Sequence, residues 1–214
     1  MEGGGIQLVP HPAKPARAVD SLVCTFVWQD AGEWRFDFIV PVPPSSLKLP
    51  SAAAPVRTDG LWEHTCFELF MLDPETGAYR EFNFAPSGQW AAYSFDSYRA
   101  GRRPLGVATP HVLSSDPGQF ASAMEARLSA LGLDAESIRQ LAAASPPMEE
   151  PAQFALSAGI EDPALNDHRR WRLGISAVIE EADGTKSYWA LAHPPGDPDF
   201  HHPDCFALEL PSAP

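Results

Sequence analysis

Two stretches of the chain concentrate side chains able to do chemistry: RTDGLWEHTCFELFM from Arg57 and HPPGDPDFHHPDCFALEL from His193. Read as an extended strand, the first puts Trp62, His64, Cys66, Glu68 and Phe70 on one face and Thr65, Phe67, Leu69 and Met71 on the other. The second set is the core side. The first set seats a carboxylate between a thiol and an aromatic ring, where an unpaired charge is expensive, so Glu68 requires a partner or an open cleft. Just beyond, Tyr79, Glu81 and Asn83 alternate with Arg80, Phe82 and Phe84. Pairing of the two strands across Pro74-Glu75-Thr76-Gly77 brings Glu68, Glu81 and Asn83 onto one face near Trp62. A flat ring beside carboxylates and an amide suits a sugar: the ring covers its C–H face while Glu and Asn exchange hydrogen bonds with its hydroxyls. The competing reading is structural, with Trp62 in the core, Glu68 paired to Arg80 or Arg99, and Asn83 serving its loop.

The second stretch gathers His193, Asp197, Asp199, His201, His202, Asp204 and Cys205. Imidazole, carboxylate and thiol are all metal ligands, which opens the alternative of a metal-assisted hydrolase in this loop. Adjacent His201 and His202 point to opposite sides of an extended chain, however, and no HExxH spacing is present. Pro194, Pro195, Pro198 and Pro203 stiffen the loop. The expectation is a metal-free wall closing over or beside the ligand face, with His202 and Asp204 contributing to ligand binding. Two carboxylates on adjacent strands also raise a carboxylate-based glycoside hydrolase, whose acid and partner stand about 5–9.5 Å apart. No GxGxxG, GxxxxGK[ST] or GxSxG occurs, so nucleotide, dinucleotide and α/β-hydrolase chemistry lack their handles, and no cofactor is expected.

The elements that must position these residues are mostly strands. LVCTFVW and WRFDFIV flank Asp30-Ala31-Gly32 as a hairpin, with Trp34, Phe36 and Phe38 on one face of its second arm. A proline-rich connection, PVPPSSLKLPSAAAP, follows. Then CFELFMLD, AYREFNFAP and QWAAYSFDSY, joined by PETG and SG, form a meander. QFALSAGI, WRLGISAVIE, SYWALAH and CFALEL complete about ten strands, which suggests two packed sheets. Between Gln119 and Ala144 the residues favour helix: Phe120, Met124 and Leu128 form a packing stripe, Asp134 caps a second helix bearing Ile138 and Leu141, and Ser145-Pro146-Pro147 ends it.

The 214 residues fit one all-β domain, 1–214, with a helical insertion at about 119–144, and 44% hydrophobic residues suffice for a core. A net charge of −13 disfavours nucleic acid and anionic membrane surfaces as partners. The N-terminus lacks a secretory pattern and no apolar run reaches about 20 residues, so a cytoplasmic location is expected. Cys24, Cys66 and Cys205, odd in number and without a CxxC pair, read as buried reduced thiols.

At LWEHTCFELF, EFNFAPSG and YWALAHPPGDPDFHHPDCFALEL the chain resembles the DOMON-like proteins related to family-nine carbohydrate-binding modules, the ending resembling a bacterial subgroup of unestablished function. The resemblance covers roughly Val19–Tyr98 and Trp171–Leu210. It implies an antiparallel β-sandwich of jelly-roll or immunoglobulin-like form with a ligand face, which carries sugar in some relatives and haem in others. It also implies a stacking role for Trp62 and hydrogen-bonding roles for Glu68, Glu81 and Asn83. The combined expectation is a non-enzymatic module for a small polar ligand, foremost a saccharide.

Overall fold

The computed structural model describes residues 5–29, 33–144, 149–162 and 170–210. Among these are twelve strands: β1 (Ile6–Pro10), β2 (Leu22–Gln29), β3 (Glu33–Val40), β4 (Cys66–Leu72), β5 (Tyr79–Phe84), β6 (Trp90–Phe95), β7 (Arg103–Pro104), β8 (His111–Ser114), β9 (Phe154–Glu161), β10 (Arg172–Glu180), β11 (Lys186–Ala190) and β12 (Leu208–Glu209). Two helices, α1 (Pro117–Ala130) and α2 (Ala135–Ala144), follow β8. No helix among the described residues is long and apolar enough to cross a membrane.

The strands pair antiparallel in the order β7-β6-β5-β4-β10-β11-β1-β2-β3-β9-β8, with β12 joining β10 to the side. This is one curled sheet rather than the two separate sheets expected from the strand count. The join is β1, whose Ile6–Leu8 pair with β2 while Val9 and Pro10 pair with β11. Curling turns one apolar face of each arm inward on a shared core. Phe67 of β4 lies with its ring 4.8 Å from Phe38 of β3 and 5.9 Å from Phe154 of β9, so residues distant along the hydrogen-bonded path touch through their side chains. Full burial of a ring such as Phe67 is worth about 1.5–3 kcal/mol.

The hairpin and the meander form as the alternation predicts. β2 and β3 pair Phe26 with Phe36, although the turn at residues 30–32 lies outside the described residues. Tight turns join β4 to β5 and β5 to β6, the latter through Gly88 at φ 90°, a left-handed conformation suited to glycine. Asp134 caps α2 as expected, its Oδ1 accepting from the Ser137 N–H at 2.7 Å, while the expected stop at 145–147 falls outside the described residues.

Two further expectations fail. Phe120 and Met124 are about half exposed, because α1 anchors instead through buried Gln119, whose side chain accepts from the Ser114 N–H. The segment from Cys205 is a strand only at β12, because Pro203 starts a one-turn 3-10 helix, Pro203–Cys205, and both Cys205 and Phe206 turn inward.

Candidate functional site

The second face of the β4–β5–β6 arm is not solvent. Cys66, Glu68 and Phe70 of β4 stand on it, with Tyr79, Glu81 and Asn83 of β5, Tyr93 and Phe95 of β6, and Ser176 and Val178 of β10. Register sets Glu68 between Asn83 and Ser176, and Glu81 between Phe70 and Tyr93. The loop after β11, the 3-10 turn Leu61–Glu63 and the turn between β6 and β7 rise around this face and leave a cavity of about 390 Å³. That lies at the small end of ligand pockets, about 300–1,000 Å³. Glu68 and Glu81 form its floor, and Trp62, Phe95, Tyr188 and Phe200 supply aromatic wall, with Arg99, Arg102 and His201 around them.

Glu68 is 3% exposed, and its Oε1 is buried with no hydrogen-bond partner. Burial first, and the neighbouring Glu81 second, push its carboxyl well above the ordinary carboxylate range. The arginines weighed as its partners are engaged elsewhere: Arg80 by Asp162, and Arg99 by Asp199 at 2.6 Å. Burial raises Glu81 as well, opposed by its bond from Asn83, whose Nδ2 donates to Oε1 at 2.6 Å, and by Arg102 and Arg99. Asn83 is wholly buried and lies beneath the cavity, holding Glu81 and accepting weakly from the Cys66 thiol at 3.8 Å.

The loop from His193 to Cys205 is tied at Asp199. Its carboxylate accepts from Arg99 Nη2, from the Tyr98 hydroxyl at 2.5 Å and from the His201 N–H at 3.2 Å, and its carbonyl accepts from the Cys205 thiol. Phe206 anchors the loop's end on β10, where it packs so closely over Gly174 that a Cβ there would stand 2.6 Å from its ring. This anchoring turns His201 inward. Its Nδ1 lies 2.9 Å from the Tyr79 hydroxyl, which accepts from the Arg99 N–H, and its Nε2 lies 3.9 Å from Glu81 Oε2. Burial, then Arg99, push His201 down to about 4, so the ring is neutral at physiological pH.

Arg99 holds the left-handed conformation, φ 52°, uncommon outside glycine, and its contacts with Asp199 and Tyr79 hold it there. Arg102 lies over the rings of Tyr93, at 4.1 Å, and Trp62, at 5.3 Å, close enough for cation–π attraction.

Of the residues singled out in the sequence, Trp62, Glu68 and Glu81 line the cavity together, and Asn83 supports it from below. Arg102 covers part of the Trp62 ring expected to serve as an open platform. His202 and Asp204 are not in the cavity wall; the His202 ring accepts from the Asp204 N–H and caps the 3-10 turn. Of the adjacent histidines it is His201 that faces inward. His64 is drawn off to Glu180 at 2.9 Å. Arg102 and the rings of Phe95, Tyr188 and Phe200 were not among the sequence candidates, and His201 and Arg99 entered only as a possible metal ligand and a possible partner of Glu68. Among the described residues no three His, Cys, Asp or Glu side chains converge as metal ligands would, the histidine loop included. The three thiols are buried, and burial pushes Cys205 up to about 12, which leaves it protonated and inert.

No family model and no curated protein matches the chain. Its fold is similar to that of a solved structure from Bacteroides uniformis described as a "putative carbohydrate-binding protein", with a TM-score of 0.58 and 14% identity over 94% of this chain and 82% of that one. At that identity the likeness establishes a shared, largely antiparallel β architecture.

Proposed function

We propose that the chain is a non-catalytic binding module, one DOMON-like domain of sandwich type, whose cavity takes a saccharide. The observation that carries this reading is Glu68: a buried carboxyl with an unpartnered oxygen, on the floor of a cavity walled by aromatic rings with a few charged and polar groups among them. A polar atom buried without a partner costs about 1–3 kcal/mol, which a ligand hydroxyl or amine recovers on binding. Rings set against a few convergent polar groups match a pyranose, which offers C–H faces and hydroxyl edges at once. The similarity to a structure described as a carbohydrate-binding protein supports the same class. Glu81 and His201 serve as orienting groups here, since Asn83 and Tyr79 hold each in a fixed direction.

Isothermal titration against a panel of mono- and disaccharides tests the proposal. Saturable heat that is lost in Trp62→Ala is the expected result. Absence of binding across the panel, or turnover of a chromogenic glycoside, overturns it.

A further inference from the structure

The charges around the cavity are unevenly matched. Arg99 at the rim has its counter-charge in Asp199. Arg102 lies over Tyr93 and Trp62, within the field of Asp59, which also binds Arg57 and the Tyr93 hydroxyl. The floor differs. Glu68 and Glu81 are 3% and 5% exposed, stand on neighbouring strands, face the same space and repel one another. Asn83 gives Glu81 one hydrogen bond, while Glu68 Oε1 has none. Directly across β10 from Glu68, the Ser176 hydroxyl is likewise buried and unpartnered. His201, neutral, adds no positive charge. Arg99 and Arg102 ease the ionisation of Glu81 from a distance, but neither is paired with Glu68 or Glu81, so the floor is the half of an ion pair that a ligand completes. The walls fit the same visitor: Trp62, Phe95, Tyr188 and Phe200 offer π-faces, which attract a cation and tolerate the C–H groups around it.

We infer that the cavity takes a ligand bearing a protonated primary amine, an amino sugar within the saccharide class, with its ammonium seated between Glu68 and Glu81. This rests on the saccharide reading above and narrows it. An ammonium offers three donors, enough for Glu68 Oε1 and the free oxygen of Glu81 together, and its charge lets both carboxylates ionise at once. A neutral hexose donates one hydrogen bond per hydroxyl and brings no charge that would let Glu68 give up its proton. A uronic acid would add a third carboxylate to the floor.

The test is titration at pH 7 with glucosamine, N-acetylglucosamine, glucose, glucuronate and a simple alkylamine, n-propylamine. Glucosamine is expected to bind about tenfold to hundredfold more tightly than glucose and N-acetylglucosamine, the span of one charge-assisted hydrogen bond. Glu68→Gln should erase that preference. The acetylated sugar removes the ammonium without altering the protein, so the comparison stands even where the variant folds poorly. Equal binding of glucose and glucosamine, or a preference for glucuronate, overturns the amine inference and leaves the saccharide reading intact. Binding of n-propylamine alone, lost in Glu68→Gln, upholds the amine seat and overturns the saccharide reading. No binding by any of the five overturns both.

Discussion

Glu68→Gln provides the sharpest test of how the cavity floor is built, because it removes the titrating proton and keeps the shape. In the unfolded chain a glutamic acid loses its proton near pH 4.5, whereas burial and Glu81 make the folded protein hold one on Glu68 to much higher pH. Between those limits the folded state binds more protons than the unfolded state, so stability falls as pH rises. Each pH unit spent in that window removes about 1.4 kcal/mol. For a chain of this size that is about 3–5 °C of melting temperature per pH unit. Glu68→Gln should therefore flatten the descent above pH 4.5, with a smaller slope left by Glu81, which burial also raises. The glutamine amide brings a pH-independent cost of about 1–3 kcal/mol if it stays unpaired, so the readout is the slope and not the offset. Thermal melts of both proteins from pH 4.5 to 8, followed by circular dichroism, measure it. Parallel curves would show that Glu68 does not hold its proton in the folded state and would refute the description of the floor.

Two further outcomes follow from the loop that forms the cavity wall. Asp199→Asn removes the counter-charge of Arg99; because that pair is partly exposed the stability loss should stay below about 1 kcal/mol, while hydrogen exchange across 197–204 quickens and saccharide affinity drops about tenfold as His201 and Phe200 lose their fixed positions; unchanged exchange would count against the tie. Gly174→Ala sets a Cβ 2.6 Å from the Phe206 ring and 3.3 Å from the Cys205 carbonyl, so chemical denaturation should show a loss of about 1–3 kcal/mol from overpacking, whereas wild-type stability would mean that Phe206 does not anchor the loop.

Much of this arrangement was legible because strands write their faces into the sequence with period two. Between Cys66 and Phe95 the turns are short and the alternation unbroken, so parity alone put Glu68, Glu81 and Asn83 on one face. Parity ceases to inform where the chain leaves the ladder. His201 and His202 are neighbours in a proline-rich loop, and which one faces inward depends on Asp199 and Phe206, contacts that no local pattern encodes. Arg99 and Arg102 sit in a turn with two left-handed residues, of which only Gly101 is marked by its type, while Arg99 at φ 52° carries no such marker. β1 escaped notice because its five residues divide their pairing between two partners, and that division is what merges two expected sheets into one. Buried Gln119 illustrates the reverse error: the apolar stripe of α1 looks like packing surface, yet a polar side chain makes the anchoring contact.

The cavity above Glu68 and Glu81 is proposed as the ligand site. A crystal structure of the protein grown with saturating glucosamine tests it most directly. The sugar is expected in that cavity, its ammonium within hydrogen-bond distance of both carboxylates and its ring against the aromatic wall. Sugar bound elsewhere on the molecule, with the floor of the cavity untouched, would contradict it.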